Sequence, residues 1–171
     1  MSIKDLEPKI VWNYFHDITQ IPRPSKKEEK IIAYLLNFAR EHNLEAKKDK
    51  AGNVLITKAA TPDKEDVQTV ILQSHVDMVC EKNSDVTHDF DNDPIETVID
   101  GDWVKANGTT LGADNGIGIA AQLAVLASNE IAHGKIEALF TVDEETGLTG
   151  ANSLEPGFFT GNILLNLDTE E

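Results

Sequence analysis

Val70–Asp77 reads VILQSHVD, a β-branched, apolar run that carries no charge until it reaches His75 and Asp77. Such a run favours a strand. Two more apolar runs finish in the same way. IEALFTV (Ile136–Val142) passes directly into Asp143, Glu144 and Glu145, and NILLNL (Asn162–Leu167) ends on Asp168. Adjacent like charges are unfavourable where solvent thins out unless a cation lies among them, although a strand end can also simply meet water. Open α/β sheets bind ligands beyond the carboxyl ends of their strands. If the three strands are parallel neighbours, their acids and His75 converge on one pocket. Asp114, in the glycine-rich LGADNGIG (Leu111–Gly118) ahead of a helix, is a fourth arrival point. Any one of these acids fits a solvated strand end. Their joint occurrence points to a metal.

Working outward, DLEPKIVWNYFHDITQ (Asp5–Gln20) has helical apolar spacing and is stopped by IPRP. Ser25 with Glu28 forms a capping-box pattern for a second helix. AGNVLITKA reads as a strand, IETVIDGDWVKA as a hairpin turning at Asp100-Gly101, and IGIAAQLAVLASNE as an apolar helix. A short helix falls near GLTGANSL. The order predicts a three-layer α/β/α sandwich with a mostly parallel mixed sheet.

With 30 acidic against 15 basic residues, the net charge of −15 argues against nucleic acid and anionic membrane as partners. No apolar run approaches a membrane span, and one cysteine, Cys80, gives no disulfide framework. The expected location is cytoplasmic.

His75 and Asp77 lie two apart on a strand, so they share a face, and Asp77 is placed to orient the imidazole as a metal-bound histidine requires. Glu144 and Glu145 are adjacent and diverge. One can hold a metal while the other acts as general base on a water. Asp143 reads as a solvated or helix-capping acid. Two patterns are decoys. Gly116–Ala121 fits G-x-G-x-x-A but follows no apolar strand. Asp89, Asp91, Asp93 and Asp100 mimic a calcium loop, but Pro94 occupies the position that needs glycine.

SHVDMVCEKN, NGTTLGADNGIGIA, TVDEETGLTGA and NLDTEE together resemble the aminoacyl-histidine dipeptidases, or cytosol non-specific dipeptidases. These belong to the co-catalytic zinc peptidase family that includes carboxypeptidase G and aminoacylase. The resemblance runs from PRPS to the last residues. It implies a zinc-exopeptidase-like fold with two zinc ions per complete active site, manganese or cobalt being possible substitutes. His75 and Asp168 would bind one ion, Glu145 the other, and Asp114 would bridge them, followed by a cis peptide. Asp77 would be the orienting carboxylate and Glu144 the general base. The implied substrates are Xaa-His and other short peptides, hydrolysed by a metal-activated water.

Family members continue beyond this length, so residues 1–171 are expected to be the N-terminal part of a metallopeptidase catalytic domain. The lid or dimerisation domain, through which the complete enzyme would form a homodimer, and the C-terminal part of the catalytic domain would be absent. So would a second-site histidine, leaving the isolated chain inactive. The alternatives are a deacylase or carboxypeptidase acting on N-acyl amino acids, and a non-catalytic metal-binding domain.

Overall fold

The computed structural model describes residues 2–168 and is built around a five-stranded mixed sheet. Its strands are Glu45–Lys48 (β1), Val54–Lys58 (β2), Val70–His75 (β3), Ile136–Thr141 (β6) and Ile163–Asn166 (β7), in the order β1-β2-β6-β3-β7. β3 pairs in parallel with both β6 and β7, whereas β2 is antiparallel to β6 and to β1. Of these strands β2 alone therefore runs against the rest, and the sheet is mostly parallel, as the sequence predicts.

β6 is the central strand, and all six of its residues are buried. Covering on both faces is what makes a strand read as a continuous apolar run. Val54, Ile56, Ala138 and Phe140 face the helices Lys9–Thr19 (α1), Glu29–Glu41 (α2) and Ala113–Ala127 (α3), where Phe15, Ile18, Leu35, Ile119 and Leu123 complete the main core. A fully buried side chain of this size contributes about 1.5–3 kcal/mol. On the opposite face Leu55, Ile71 and Leu139 meet Leu154, Phe158 and Phe159 from the connection that follows the short helix Thr149–Asn152 (α4). That connection is pinned by Glu137, which is buried within β6. Its carboxylate accepts from Lys135 Nζ at 2.7 Å, Thr160 Oγ1 at 2.7 Å and the N–H groups of Thr160 and Gly161. Among the described residues no helix is long and apolar enough to cross a membrane.

The sequence reading needs correction at four places. β1 (Glu-Ala-Lys-Lys) is unexpected, because all four residues are exposed and the strand forms only by pairing with β2. The hairpin of Thr97–Asp100 (β4) and Trp103–Ala106 (β5) pairs Asp100 with Trp103, so its loop is Gly101-Asp102, one residue later than expected. Gly101 has φ +60°, the conformation that tight hairpin loops ask of a glycine. The Ser25/Glu28 capping box does not form, since both side chains bond elsewhere in the fold. Asp143 is not a solvated acid but only 4% exposed.

Candidate metal centre

Parallel pairing of β6, β3 and β7 brings their carboxyl ends to one edge of the sheet, with His75 opposite Thr141 and Gln73 opposite Asn166. His75 ends β3 and is almost wholly buried, Glu144 and Glu145 follow β6, and Asp168 follows β7. Asp114 arrives from the N-terminus of α3, where Asp114 and Asn115 depart from helical torsions. The Asp114–Asn115 peptide bond is cis, as the resemblance implies.

Two groups of potential ligands result at this edge, each with its donor atoms within 4.8 Å of one another: His75, Asp114 and Glu145, and His75, Glu144 and Asp168; a third such group consists of the buried acids Glu28, Asp77 and Asp143. Nε2 of His75 lies 2.9 Å from Asp114 Oδ1 and 3.9 Å from Asp168 Oδ2. The expected ligands His75, Asp114, Glu145 and Asp168 thus share this edge but not a single cluster. Glu144, expected as a base, stands within reach of the same histidine. One imidazole among four carboxylates is a donor set that suits zinc and admits manganese or cobalt. The residues therefore fit a divalent ion.

Asp77, wholly buried, lies behind His75, its Oδ1 3.3 Å from Nδ1. It also accepts the N–H groups of Glu144 at 3.0 Å and Glu145 at 3.2 Å, and the Ser25 hydroxyl at 2.7 Å. One carboxylate thus ties the end of β3 to the turn after β6. The turn is made by Asp143 at φ +49°, whose N–H donates to Glu28 and whose Oδ1 accepts from Thr146 Oγ1.

Burial opposes a charge on Asp77, but the His75 imidazole 3.3 Å away and the hydrogen bonds from the Glu144 and Glu145 amides and Ser25 outweigh it and hold the carboxyl at about 2. Burial likewise opposes protonation of His75, and Asp77 and Asp114 overcome it, raising the imidazole to about 9. Glu144 and Glu145 are pushed up from the ordinary carboxylate range, first by desolvation and then by neighbouring acids, with His75 working against both. An open cleft of about 310 Å³, lined by Val79, Thr110, Leu111, Gly112, Asp114 and Glu145, adjoins these groups.

Sequence reading gives Arg23 and Glu28 no part here, yet both are buried against the segments that carry these residues. An arginine between two prolines has no local periodicity to betray it. Neither decoy contributes a residue to the two ligand groups. Gly116 is a glycine because a Cβ there would lie 2.8 Å from the Arg23 guanidinium and 3.1 Å from Phe15. Asp91 of the acidic loop pairs with Lys27 at 2.6 Å on the exposed surface.

The model of "Peptidase family M20/M25/M40" matches residues 71–165. The chain is 47% identical over 170 residues to the cytosol non-specific dipeptidase of Escherichia coli (strain K12), covering 99% of this chain and 35% of that protein. The crystal structure of aminoacylhistidine dipeptidase from Vibrio alginolyticus superposes with a TM-score of 0.98 at 53% identity, over 100% of this chain and 35% of that one. A tripeptidase from Staphylococcus aureus subsp. aureus Mu50 gives 0.80 at 26% identity, over 95% of this chain and 44% of that one. The chain spans about a third of the length of the curated dipeptidase it matches.

Proposed function

The chain belongs to peptidase family M20/M25/M40, and from that premise we propose that it carries the metal-binding half of a dipeptidase site acting on Xaa-His and other short peptides. The observation that carries this reading is the delivery of one histidine and four carboxylates to a single sheet edge, with donor atoms within 4.8 Å in each group. His75 and Asp168 are proposed to hold one divalent ion, Glu145 a second, and Asp114 both, with zinc as the first candidate. Such ions supply Lewis-acid polarisation of the scissile carbonyl and a lowered pKa for water. The proposed location is the cytoplasm, which the name of the E. coli relative favours.

The chain's own side chains do the rest. Asp77 faces Nδ1 of His75, keeps the ring proton on that nitrogen and so leaves the Nε2 lone pair turned into the site. Glu144 accepts a proton from the attacking water and returns it to the leaving amine nitrogen as the peptide C–N bond breaks. Its raised pKa brings it closer to working pH, where a general base is most effective. The other assignment, Glu144 as a ligand, draws support from its grouping with His75 and Asp168.

Zinc titration of chelator-stripped protein tests the reading. Wild type should bind more tightly than the His75→Ala, Asp168→Ala double variant, and equal affinity would overturn it. Glu144→Gln should retain zinc, whereas loss of zinc in that variant makes Glu144 a ligand.

A further inference from the structure

Arg23 is 2% exposed, and among the described residues no carboxylate pairs directly with its guanidinium. Its N–H groups go to three backbone carbonyls. Nη1 donates to Val76 O at 2.9 Å and Asp77 O at 2.7 Å, just past the end of β3, while Nη2 donates to Gly112 O, two residues before Asp114. The Arg23 carbonyl accepts from Met78 N–H at 3.2 Å, and Pro24 forms a parallel bridge to Met78. From the same segment Ser25 donates to Asp77, and Glu28 Oε1 accepts from Asp143 N–H at 3.0 Å. One short stretch of chain thus touches every loop that carries a residue of the metal centre except the one after β7.

Space has been made for the guanidinium. A Cβ on Gly112 would lie 2.5 Å from Nη2, and one on Gly116 2.8 Å from it. Burial alone lowers the pKa of Arg23, to about 10, so it remains a cation at neutral pH, favoured by Asp77, Asp114 and Glu145 through space. A guanidinium is a rigid planar fork whose donors diverge at fixed angles. Bonded to Val76 and Asp77 on one side and Gly112 on the other, it sets the gap between the two backbone segments from which His75 and Asp114 project.

We infer that the strap Arg23–Glu28 is a positioning element of the metal centre, in which the Arg23 fork fixes the spacing of His75 and Asp114 and Ser25 fixes Asp77 behind the imidazole. This rests on the metal-binding reading given above. Arg23 touches no ligand atom and acts through the carbonyls it holds. A lysine would keep the buried charge but not the fork, since a single ammonium cannot bond both segments in the same directions.

The test uses the 171-residue chain, with zinc affinity measured by chelator competition, the visible spectrum of the cobalt-loaded protein, and thermal unfolding without metal. At a temperature where it is folded, Arg23→Lys should lose ~10–100-fold in zinc affinity, the range seen when the partners of metal ligands are removed. Its cobalt bands should also shift in position or intensity, because coordination geometry changes. A purely structural role would lower the unfolding temperature and leave both metal readouts unmoved in the folded protein, and that result would overturn the inference. Should Arg23→Lys not fold, Ser25→Ala decides. A weakened zinc affinity and altered cobalt spectrum support the strap, and wild-type values refute it. Wild type binding zinc no better than the His75→Ala, Asp168→Ala variant would remove the site itself, and the strap's role with it.

Discussion

Asp77 and Glu137 are both carboxylates buried at or near the sheet, 0% and 2% exposed, and each meets four donors that hold its pKa near 2. Their surroundings differ in charge. Glu137 is paired with Lys135, and its other partners are the neutral groups of Thr160 and Gly161. Around Asp77 stand Glu28 and Asp143, with oxygens within 4.8 Å of its own, and Glu144 and Glu145, with His75 and Arg23 to set against them among the described residues. Burial, full hydrogen bonding and a depressed pKa therefore do not separate a structural acid from one serving a site. An unbalanced local charge does.

The largest effect expected from this contrast lies in the unbalanced region. In any preparation of the protein that hydrolyses a dipeptide, Glu144→Gln should lower kcat by ~10²–10⁴, the scale of general-base catalysis. Unchanged turnover would remove Glu144 from the chemistry.

Exchanging the two buried acids for alanine sharpens the comparison. Each variant strands donors, and breaking a buried ion pair costs ~3–5 kcal/mol. For Glu137→Ala the expectation is the lower end, about 3 kcal/mol, because Lys135 reaches solvent. Zinc affinity, however, should fall ~10–100-fold only in Asp77→Ala. Urea unfolding and chelator competition on both proteins measure the two effects, and a comparable zinc loss in Glu137→Ala would erase the distinction.

A smaller effect follows from pH. The folded pKa of Glu137 lies below its unfolded value, so the stability it provides is fully present above the unfolded pKa of about 4.3 and is lost as pH falls toward about 2. Asp77 contributes in the same direction, over the narrower window from its unfolded pKa of about 3.9 toward about 2. Urea midpoints of wild type should therefore decline through this range, and Glu137→Gln should decline less steeply. A parallel decline in the variant would show that Glu137 does not contribute. The smallest effect is expected at Trp103, 71% exposed on the hairpin. Trp103→Ser should change stability by no more than about 0.5 kcal/mol and leave zinc affinity unaltered.

The strands carrying the site were legible because each lies in an apolar run closed by a charge, a pattern that survives without tertiary information. β1 was not, since Glu45–Lys48 lacks any alternation and owes its existence to an edge of β2. Ser25 and Glu28 have the spacing of a capping box, but Asp77 and the Asp143 amide compete for the same atoms and prevail. Asp143 looks like the most solvated of three acids, yet its left-handed backbone turns it inward toward Thr146. The convergent set His75, Asp114, Glu144, Glu145 and Asp168 could be listed from sequence. Arg23 could not, because its partners are carbonyls, which have no sequence signature.

His75 belongs to both ligand groups, and its ring has one lone pair to give them, since Nδ1 faces Asp77. Whichever ion takes Nε2 leaves its neighbour an environment made of oxygen alone among the described residues. Oxygen-only sets prefer harder cations, and mixed nitrogen–oxygen sets prefer zinc. Within the described residues the two groups are therefore chemically unlike although they share a residue. On the metal-binding reading proposed above, the 171-residue chain loaded with a mixture of zinc and manganese is expected to take zinc first, at the group that holds Nε2.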